Sequence, residues 1–257
     1  MYKKKSLGQH FLTSPAYVRT IADVVEITPD ELVVEIGPGE GVLTRELLAR
    51  GARVVAVEKD SRLIPILSET FAKETKTGQL QIVEGDALEF GLPQKLRNKD
   101  YKVVGNIPYY ITGALLRSFL SAQHQPKSLI FLIQKEVAER IARSKKESLL
   151  SLSVKVYGEP QYIKTVPRGA FSPAPNVDSA ILRVESISRA NFKNSDEEQR
   201  FFDLIHAGFA QKRKLLRRNL EDVLGEKSAE TLQKANIPEN ARAEDVPLQK
   251  WLQLFSI

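Results

Sequence analysis

Short apolar runs rich in β-branched residues alternate with longer stretches of helical periodicity between residues 31 and 132. This alternation predicts a parallel sheet with helices on both faces, and runs without polar interruption indicate strands that are buried on both sides. Ser14 and Pro15 predict the start of an opening helix. Seven strands are predicted, of which the last two pair with each other: 32–36, 52–57, 80–83, 101–105, 128–133, 150–158 and 179–184.

The strand pattern ends at Val184, and the polar stretch 185–195 has the composition of a linker. Beyond it, Ser195 and Glu198 have the spacing of a capping box, and Gly225 is the predicted end of the helix that follows. Shorter helical patterns complete the chain. We therefore predict an α/β domain over residues 1–186 and a small all-helical domain over 187–257. The predicted apolar face of the long helix contains Phe202, Ile205, Phe209, Leu216 and Leu220.

The composition narrows the class of protein. With 257 residues, 42% of them hydrophobic and 27% charged, the chain is long enough for one sizeable core and a smaller appendage. It has no cysteine and three scattered histidines, which argues against a disulfide framework or a metal site and favours catalysis without a metal. No run approaches the length of a membrane span, and the N-terminus lacks the apolar core of a secretion signal. We expect a cytoplasmic protein.

The net charge of +6 favours a polyanionic partner, because Lys and Arg side chains that neutralise phosphates release counterions. The positive charge is concentrated at Lys3–Lys5 and in a second group near residue 215. We predict that the second group forms a charged stripe on a helix and binds RNA phosphates, and a solvated surface face is the alternative. Its members are Lys212, Arg213, Lys214, Arg217 and Arg218.

The first predicted strand runs directly into a glycine-rich turn, and the segment 35–41 contains glycines at 37, 39 and 41 with the spacing G-x-G-x-G. Dinucleotide-binding proteins have G-x-G-x-x-G instead. Glu58 ends the second strand, where a carboxylate can accept hydrogen bonds from both ribose hydroxyls of an adenosyl group. Asp86 follows the third strand, where it or the adjacent backbone could receive the adenine amine. A plain turn and two solvated acids are the alternative, but signals at three successive strand ends favour an adenosyl cofactor.

The fourth strand runs into Asn106-Ile107-Pro108-Tyr109. The exocyclic nitrogen of adenine is a weak nucleophile because its lone pair is delocalised into the ring. The Asn106 side-chain oxygen and a backbone carbonyl held by Pro108 are suitable acceptors for the two amine hydrogens, and Tyr109 offers a face on which a flipped base can stack. By itself the tetrapeptide could equally be a capped turn with packed tyrosines. Its position after the fourth strand favours methyl transfer to adenine.

These residues resemble the ribosomal RNA adenine dimethyltransferases, in particular the bacterial small-subunit branch, whose loss gives kasugamycin resistance. The resemblance implies a seven-stranded Rossmann-like methyltransferase fold with a helical C-terminal domain, and S-adenosylmethionine as methyl donor. It also implies that the target is a pair of adjacent adenosines in a hairpin near the 3′ end of 16S ribosomal RNA. The matching segments are 4–12, 35–47, 57–60, 84–88, 105–112, 134–141, 169–183 and 209–220.

The resemblance also implies roles for individual residues. His10 and Leu12 match a segment that lies over the cofactor in the family, and His10 stands where Asn is commoner. Phe171 matches the family aromatic that closes on the target base opposite Tyr109; without the family it would be interpreted as a core residue. The implied cofactor contacts are His10, Leu12, Gly37, Gly39, Glu58, Lys59, Asp86, Ala87 and Asn106, and the implied catalytic set is Asn106, Ile107, Pro108, Tyr109 and Phe171.

Three other functions remain open at this point. A dimethyltransferase that acts on large-subunit RNA and confers antibiotic resistance shares the cofactor motif and the Asn-Ile-Pro-Tyr motif, but segment 209–220 resembles the small-subunit branch better. A DNA adenine methyltransferase is disfavoured, because no additional target-recognition domain is visible. The protein could also act mainly as an assembly factor that binds the immature 30S subunit. Nothing in the sequence demands more than a monomer.

Overall fold

The computed structural model describes residues 10–89 and 99–257, so the Lys3–Lys5 cluster lies outside the described residues. The described chain divides into two compact units. One is formed within Met1–Ala138 together with Gln161–Ile187, and the other by Glu139–Pro160 with Ser188–Ile257. The predicted α/β domain was therefore wrong to include residues 139–160, which belong to the second unit.

The first unit is built on a sheet of seven strands, the number predicted, but the sheet is mixed and not wholly parallel, because β6 and β9 pair antiparallel. Its strand order among the described residues is β4-β3-β2-β5-β6-β9-β7, and a separate two-stranded sheet joins β1 to β8. The strands are β1 (Phe11–Leu12), β2 (Leu32–Ile36), β3 (Arg53–Glu58), β4 (Leu80–Glu84), β5 (Tyr101–Asn106), β6 (Ser128–Gln134), β7 (Glu159–Val166), β8 (Phe171–Ser172) and β9 (Ser179–Glu185).

Helices connect these strands and form most of the second unit. The helices are α1 (Pro15–Val24), α2 (Val42–Ala49), α3 (Ile64–Thr70), α4 (Ala72–Thr77), α5 (Thr112–Leu120), α6 (Lys135–Ala142), α7 (Leu149–Lys155), α8 (Ser195–Gly208), α9 (Leu216–Asn219), α10 (Glu221–Leu224), α11 (Ser228–Lys234) and α12 (Leu248–Phe255). Ser14 is the N-cap residue of α1, as predicted, although its side chain accepts no capping hydrogen bond. Among the described helices, none is long and apolar enough to cross a membrane.

The order of the strands creates the crevice in which ligands of open parallel sheets bind. The chain builds outward from β2 through β3 to β4, and then continues on the other side of β2 with β5 and β6. All of these neighbours pair in parallel. The direction of growth reverses between β2 and β5, and a reversal of this kind opens a crevice beyond the carboxyl ends of the strands. The turn after β2 and the segment after β5 therefore face each other.

The predicted strand at 150–158 is wrong, because residues 149–155 form α7. Leu and Ser alternate there with the period of a strand, but Ser151–Val154 are all buried, so the alternation does not separate an inner from an outer face. Ser148 and Ser151 instead form a capping box: the Ser148 hydroxyl accepts the Ser151 N–H, and the Ser151 hydroxyl accepts the Ser148 N–H. β7 begins directly after this segment and forms one edge of the sheet.

The long helix predicted from Ser195 to Gly225 is three shorter helices. The N-cap of α8 is Asn194, whose side-chain oxygen accepts the Glu197 N–H, and not Ser195. The helix ends at Gly208, where a Cβ would lie 2.3 Å from the Trp251 ring, so glycine allows α12 to approach closely. The prediction that these cations form a charged stripe on a helix is therefore wrong, since Lys212, Arg213 and Lys214 lie in a turn between α8 and α9.

Candidate active site

A cavity that is partly open to solvent lies at the carboxyl ends of β2 to β5. Because these strands are parallel, their ends meet at one edge of the sheet. The cavity is lined by the turn after β2, by both acids predicted from the sequence and by the whole Asn-Ile-Pro-Tyr segment. Its lining includes these predicted site residues: His10, Gly37, Gly39, Glu58, Lys59, Asp86, Ala87, Asn106, Ile107, Pro108 and Tyr109.

The glycine-rich turn forms one wall of the cavity. Gly37 and Gly39 have φ angles of +67° and +60°, a region that side chains rarely adopt. A Cβ at Gly39 would also lie 2.9 Å from the ring of Phe11, which lies against the turn. The Gly37 position is close to the segment after β5, since a Cβ there would lie 3.8 Å from the Asn106 carbonyl oxygen. Glycine thus lets the backbone at residue 39 approach Phe11, whereas at residue 37 it is the positive φ angle that favours glycine.

The Glu58 carboxylate ends β3 and is only 5% exposed. Its Oε2 accepts the Gly39 N–H at 3.1 Å and its Oε1 accepts the Asp60 N–H at 2.8 Å. Burial raises the pKa of Glu58, and hydrogen bonds from the backbone of Asp60, Gly39 and Lys59 oppose that shift. A carboxylate has about four acceptor positions, more than these backbone groups occupy, so Glu58 can also accept a hydroxyl donor of a ligand.

Asp86 and Lys59 form an ion pair on the cavity wall. The Lys59 Nζ donates to Asp86 Oδ2 at 2.6 Å, and the Leu88 N–H donates to Asp86 Oδ1 at 3.0 Å. The hydrogen bond from Lys59, followed by that from Leu88, holds the pKa of Asp86 below its usual range. Asp86 is therefore an ionised acceptor at neutral pH. It can take an additional hydrogen bond from an amine.

Asn106 is oriented by a main-chain contact. Its Nδ2 donates to the His10 carbonyl at 2.7 Å, which leaves Oδ1 as the acceptor of the side chain. Ile107 follows with its side chain buried, and the Pro108 carbonyl accepts the Ile111 N–H at 3.1 Å. Among the residues that the structure describes, none donates a hydrogen bond to the Ile107 carbonyl oxygen.

Tyr109 is half-buried and held on two sides. Its hydroxyl lies 2.9 Å from the Ser179 Oγ, and its ring stacks on that of His10 with centroids 6.0 Å apart. Burial raises the pKa of Tyr109. The His10 ring is itself fixed, because Nδ1 lies 2.8 Å from the Pro173 carbonyl oxygen. The tyrosine ring is thus presented to the cavity in a defined orientation.

Two predicted site residues do not reach the cavity. Leu12 and Phe171 are each 5% exposed and belong to the hydrophobic core. They are directly opposite each other in the β1–β8 pair, and residues paired in this way point to the same face. That face is the core, so the predicted closure of Phe171 on a base would require its ring to leave the core. Phe11, which the sequence reasoning missed, points to the other face and lines the cavity.

Glu35 is a second residue that the sequence reasoning missed. It lies on β2 directly before the glycine turn, is 1% exposed, and its Oε2 accepts the Thr44 hydroxyl at 2.6 Å. Burial raises its pKa to about 7, and the nearby Glu58 charge contributes to the shift. An acid in the middle of an apolar strand was the available signal, because an unpaired carboxylate is rarely buried.

Comparisons with known proteins identify the family. A family model described as "Ribosomal RNA adenine dimethylase" matches residues 1–257. The ribosomal RNA small subunit methyltransferase A of Dehalococcoides mccartyi (strain 195) is 40% identical over 256 residues, which cover 98% of this chain and 87% of that protein. The protein of the same name from Fusobacterium nucleatum is 38% identical over 261 residues, covering 99% and 97%.

Two solved structures share the fold over nearly the full chain. A dimethyladenosine transferase from Plasmodium falciparum superposes with a TM-score of 0.80 at 26% identity, covering 95% of this chain and 96% of the other. The 23S rRNA methyltransferase ErmE gives a TM-score of 0.78 at 28% identity, covering 96% and 98%. Since the family model spans all 257 residues and the fold agrees, this chain belongs to the ribosomal RNA adenine dimethylase family.

Proposed function

We propose that this protein transfers methyl groups from S-adenosylmethionine to N6 of two adjacent adenosines near the 3′ end of 16S ribosomal RNA, giving N6,N6-dimethyladenosines. The observation that carries the proposal is the orientation of Asn106 by His10 in the same cavity as Glu58 and Asp86. Relatives at 38–40% identity are named as small-subunit methyltransferases. They favour small-subunit RNA over the 23S RNA of ErmE, which is 28% identical.

The cavity fits an adenosyl donor. Glu58 retains acceptor capacity for a ribose hydroxyl beyond its backbone partners. Asp86 and Ala87, at the next strand end, suit the adenine amine and ring. The turn at Gly37 and Gly39 provides a wall without side chains, against which the remainder of the donor can lie. S-adenosylmethionine, when bound, supplies a methyl group carried on a sulfonium.

The chain's own contribution to the chemistry is to hold the acceptor amine. Asn106 Oδ1 accepts one amine hydrogen. The Ile107 carbonyl, which accepts no hydrogen bond from a described residue, accepts the other, whereas the Pro108 carbonyl already accepts the Ile111 N–H. Two acceptors on the amine draw its lone pair out of conjugation with the ring and direct it toward the methyl group. The methylated nitrogen is cationic and acidic, so it loses its proton to water without a strong base.

A cationic turn in the second unit supports RNA binding. Lys212, Arg213 and Lys214, named here the basic turn, are exposed and form no ion pair with any other residue that the structure describes. Arg218 instead pairs with Glu221 at 3.0 Å. We propose that the basic turn, with Arg217 and Arg218 beside it, binds phosphates, since unpaired cations release the most counterions on contact with RNA.

Mass spectrometry of ribosomal RNA tests the reaction. Purified protein, S-adenosylmethionine and unmethylated small subunits should give paired dimethyladenosines in 16S RNA. Methyl groups found only in large-subunit RNA or in DNA would overturn the choice of substrate.

A pair of variants tests the role of Asn106. Asn106→Ala should lower kcat by about 10²–10³, the usual loss for one transition-state contact, while small subunits still bind. Asn191→Ala is the matched control, because its amide also donates to a backbone carbonyl, that of Val156 at 2.6 Å, within the second unit. Full transfer by Asn106→Ala would show that the residue has no part in the chemistry.

A further inference from the structure

Tyr110 is the most exposed of the large hydrophobic residues in the described chain, with 66% of its surface accessible. It lines the cavity together with Tyr109. Its hydroxyl makes no hydrogen bond, and its ring makes no aromatic contact, with any other described residue. An unpartnered aromatic ring at the edge of a binding cavity therefore needs an explanation that packing does not provide.

The local backbone separates the two tyrosines. Tyr109–Ile111 form one turn of 3-10 helix, in which successive side chains point about 120° apart. Tyr109 points inward and is fixed by Ser179, so Tyr110 is turned toward solvent at the rim. The two adjacent tyrosines thus place one ring inside the cavity and a second ring at its rim.

The lining of the cavity that Tyr110 shares also contains a charged pair. Lys59 lies on the same cavity wall and is exposed. The Lys59 ammonium is paired with Asp86, to whose Oδ2 it donates at 2.6 Å. An exposed aromatic face at the rim of a binding cavity suits a nucleobase, which can stack on it.

We propose that Tyr110 forms a second base subsite, on which the nucleobase next to the target adenosine stacks while the target occupies the cavity. The inference rests on the proposed function, because it requires an RNA strand to enter at this rim. When one nucleotide is flipped inward, its neighbour loses a stacking partner. The Tyr110 ring replaces that partner, and a stacking contact tolerates any base because each has a flat face.

Binding of unmethylated small subunits to variants of the full-length protein tests this subsite. Removal of a base-stacking ring weakens binding by about 5- to 150-fold, so Tyr110→Ala should raise the Kd for small subunits within that range. Tyr110→Phe and Tyr110→Trp should stay close to the wild type. Tyr110→Leu, which is apolar but has no aromatic face, should behave like Tyr110→Ala. Val223→Ala is the control, as Val223 is also exposed but lies in α10, outside the cavity.

A parallel titration with S-adenosylhomocysteine separates RNA binding from donor binding. We expect its Kd to change by less than about twofold in Tyr110→Ala, well below one stacking contact. Unchanged affinity for small subunits in Tyr110→Ala, or full retention by Tyr110→Leu, would overturn the subsite. Loss of donor affinity alone would assign the ring to the donor site and would also overturn it. If the wild type methylates no small-subunit RNA, the proposed function fails instead, and that result is distinct from all of these.

Discussion

Glu58→Gln tests the proposed ribose contact most directly, because it keeps the shape of the side chain and removes its charge. The carboxylate accepts two backbone N–H groups through different oxygens, from Gly39 and from Asp60. A glutamine has one oxygen and one NH₂ group. One of the two N–H groups must therefore face a donor, and a ligand hydroxyl loses an ionised acceptor.

The variant should affect ligand binding more than folding. A hydrogen bond to a charged group contributes about 1.5–3 kcal/mol, so the Kd for S-adenosylhomocysteine should rise about 10- to 150-fold. An unsatisfied buried N–H costs about 1–3 kcal/mol. Burial already raises the pKa of Glu58, however, so removal of the charge offsets part of that cost. We expect the free energy of unfolding to fall by at most about 2 kcal/mol.

Calorimetric titration at neutral pH, with urea unfolding of the same samples, measures both effects. Glu84→Gln is the matched control. Glu84 is directly opposite Glu58 in the β3–β4 pair and is exposed, and the described lining of the cavity does not include it. Wild-type affinity in Glu58→Gln would refute the ribose contact. An equal loss of affinity in both variants would show that net charge, and not a hydrogen bond, governs binding.

Three further predictions concern stability, RNA binding and the tyrosine in the cavity. Since the pKa of Glu35 is raised from its ordinary 4.5 to about 7, the folded state binds the extra proton and loses stability as the pH rises between these values. At 1.36 kcal/mol per pKa unit, the free energy of unfolding of the wild type should fall by about 3 kcal/mol. Glu35→Gln keeps an acceptor for Thr44, and urea unfolding of this variant at several pH values should not show that fall. The same pH dependence in the variant and the wild type would contradict the assignment. Replacement of all three cations of the basic turn by serine should reduce the slope of log K against log salt by about 2 to 3, at about 0.7 to 0.9 per phosphate contact, and an identical slope would exclude the turn from the interface. Ser179→Ala should lower kcat/KM about 2- to 12-fold through the lost hydrogen bond to Tyr109, with no additional loss when Tyr109→Phe is combined with it; additive losses would show that the two hydroxyls act separately.

The sequence by itself determined the strands of the sheet interior and the edge at which the site forms. Uninterrupted apolar runs such as 129–133 favour a strand buried on both faces. Polar residues at the ends of such strands are then brought to one edge, because parallel strands share a direction. The sequence alone therefore assigns Glu58, Asp86 and Asn106 to one site, and all three line the cavity.

Only the tertiary structure decided the features that depend on what surrounds a segment. Leu and Ser alternate within residues 149–155 as in a strand, but the segment forms a helix. Residues of both kinds are buried, so the alternation does not separate an inner from an outer face, and the capping box of Ser148 and Ser151 favours the start of a helix. Phe171, for which the resemblance implies a contact with the target base, lies in the core, whereas Tyr110 faces solvent. Hydrophobic pattern reports the average preference of a residue for burial. The face to which a particular ring points is set by strand pairing and by turn geometry, which depend on contacts distant in sequence.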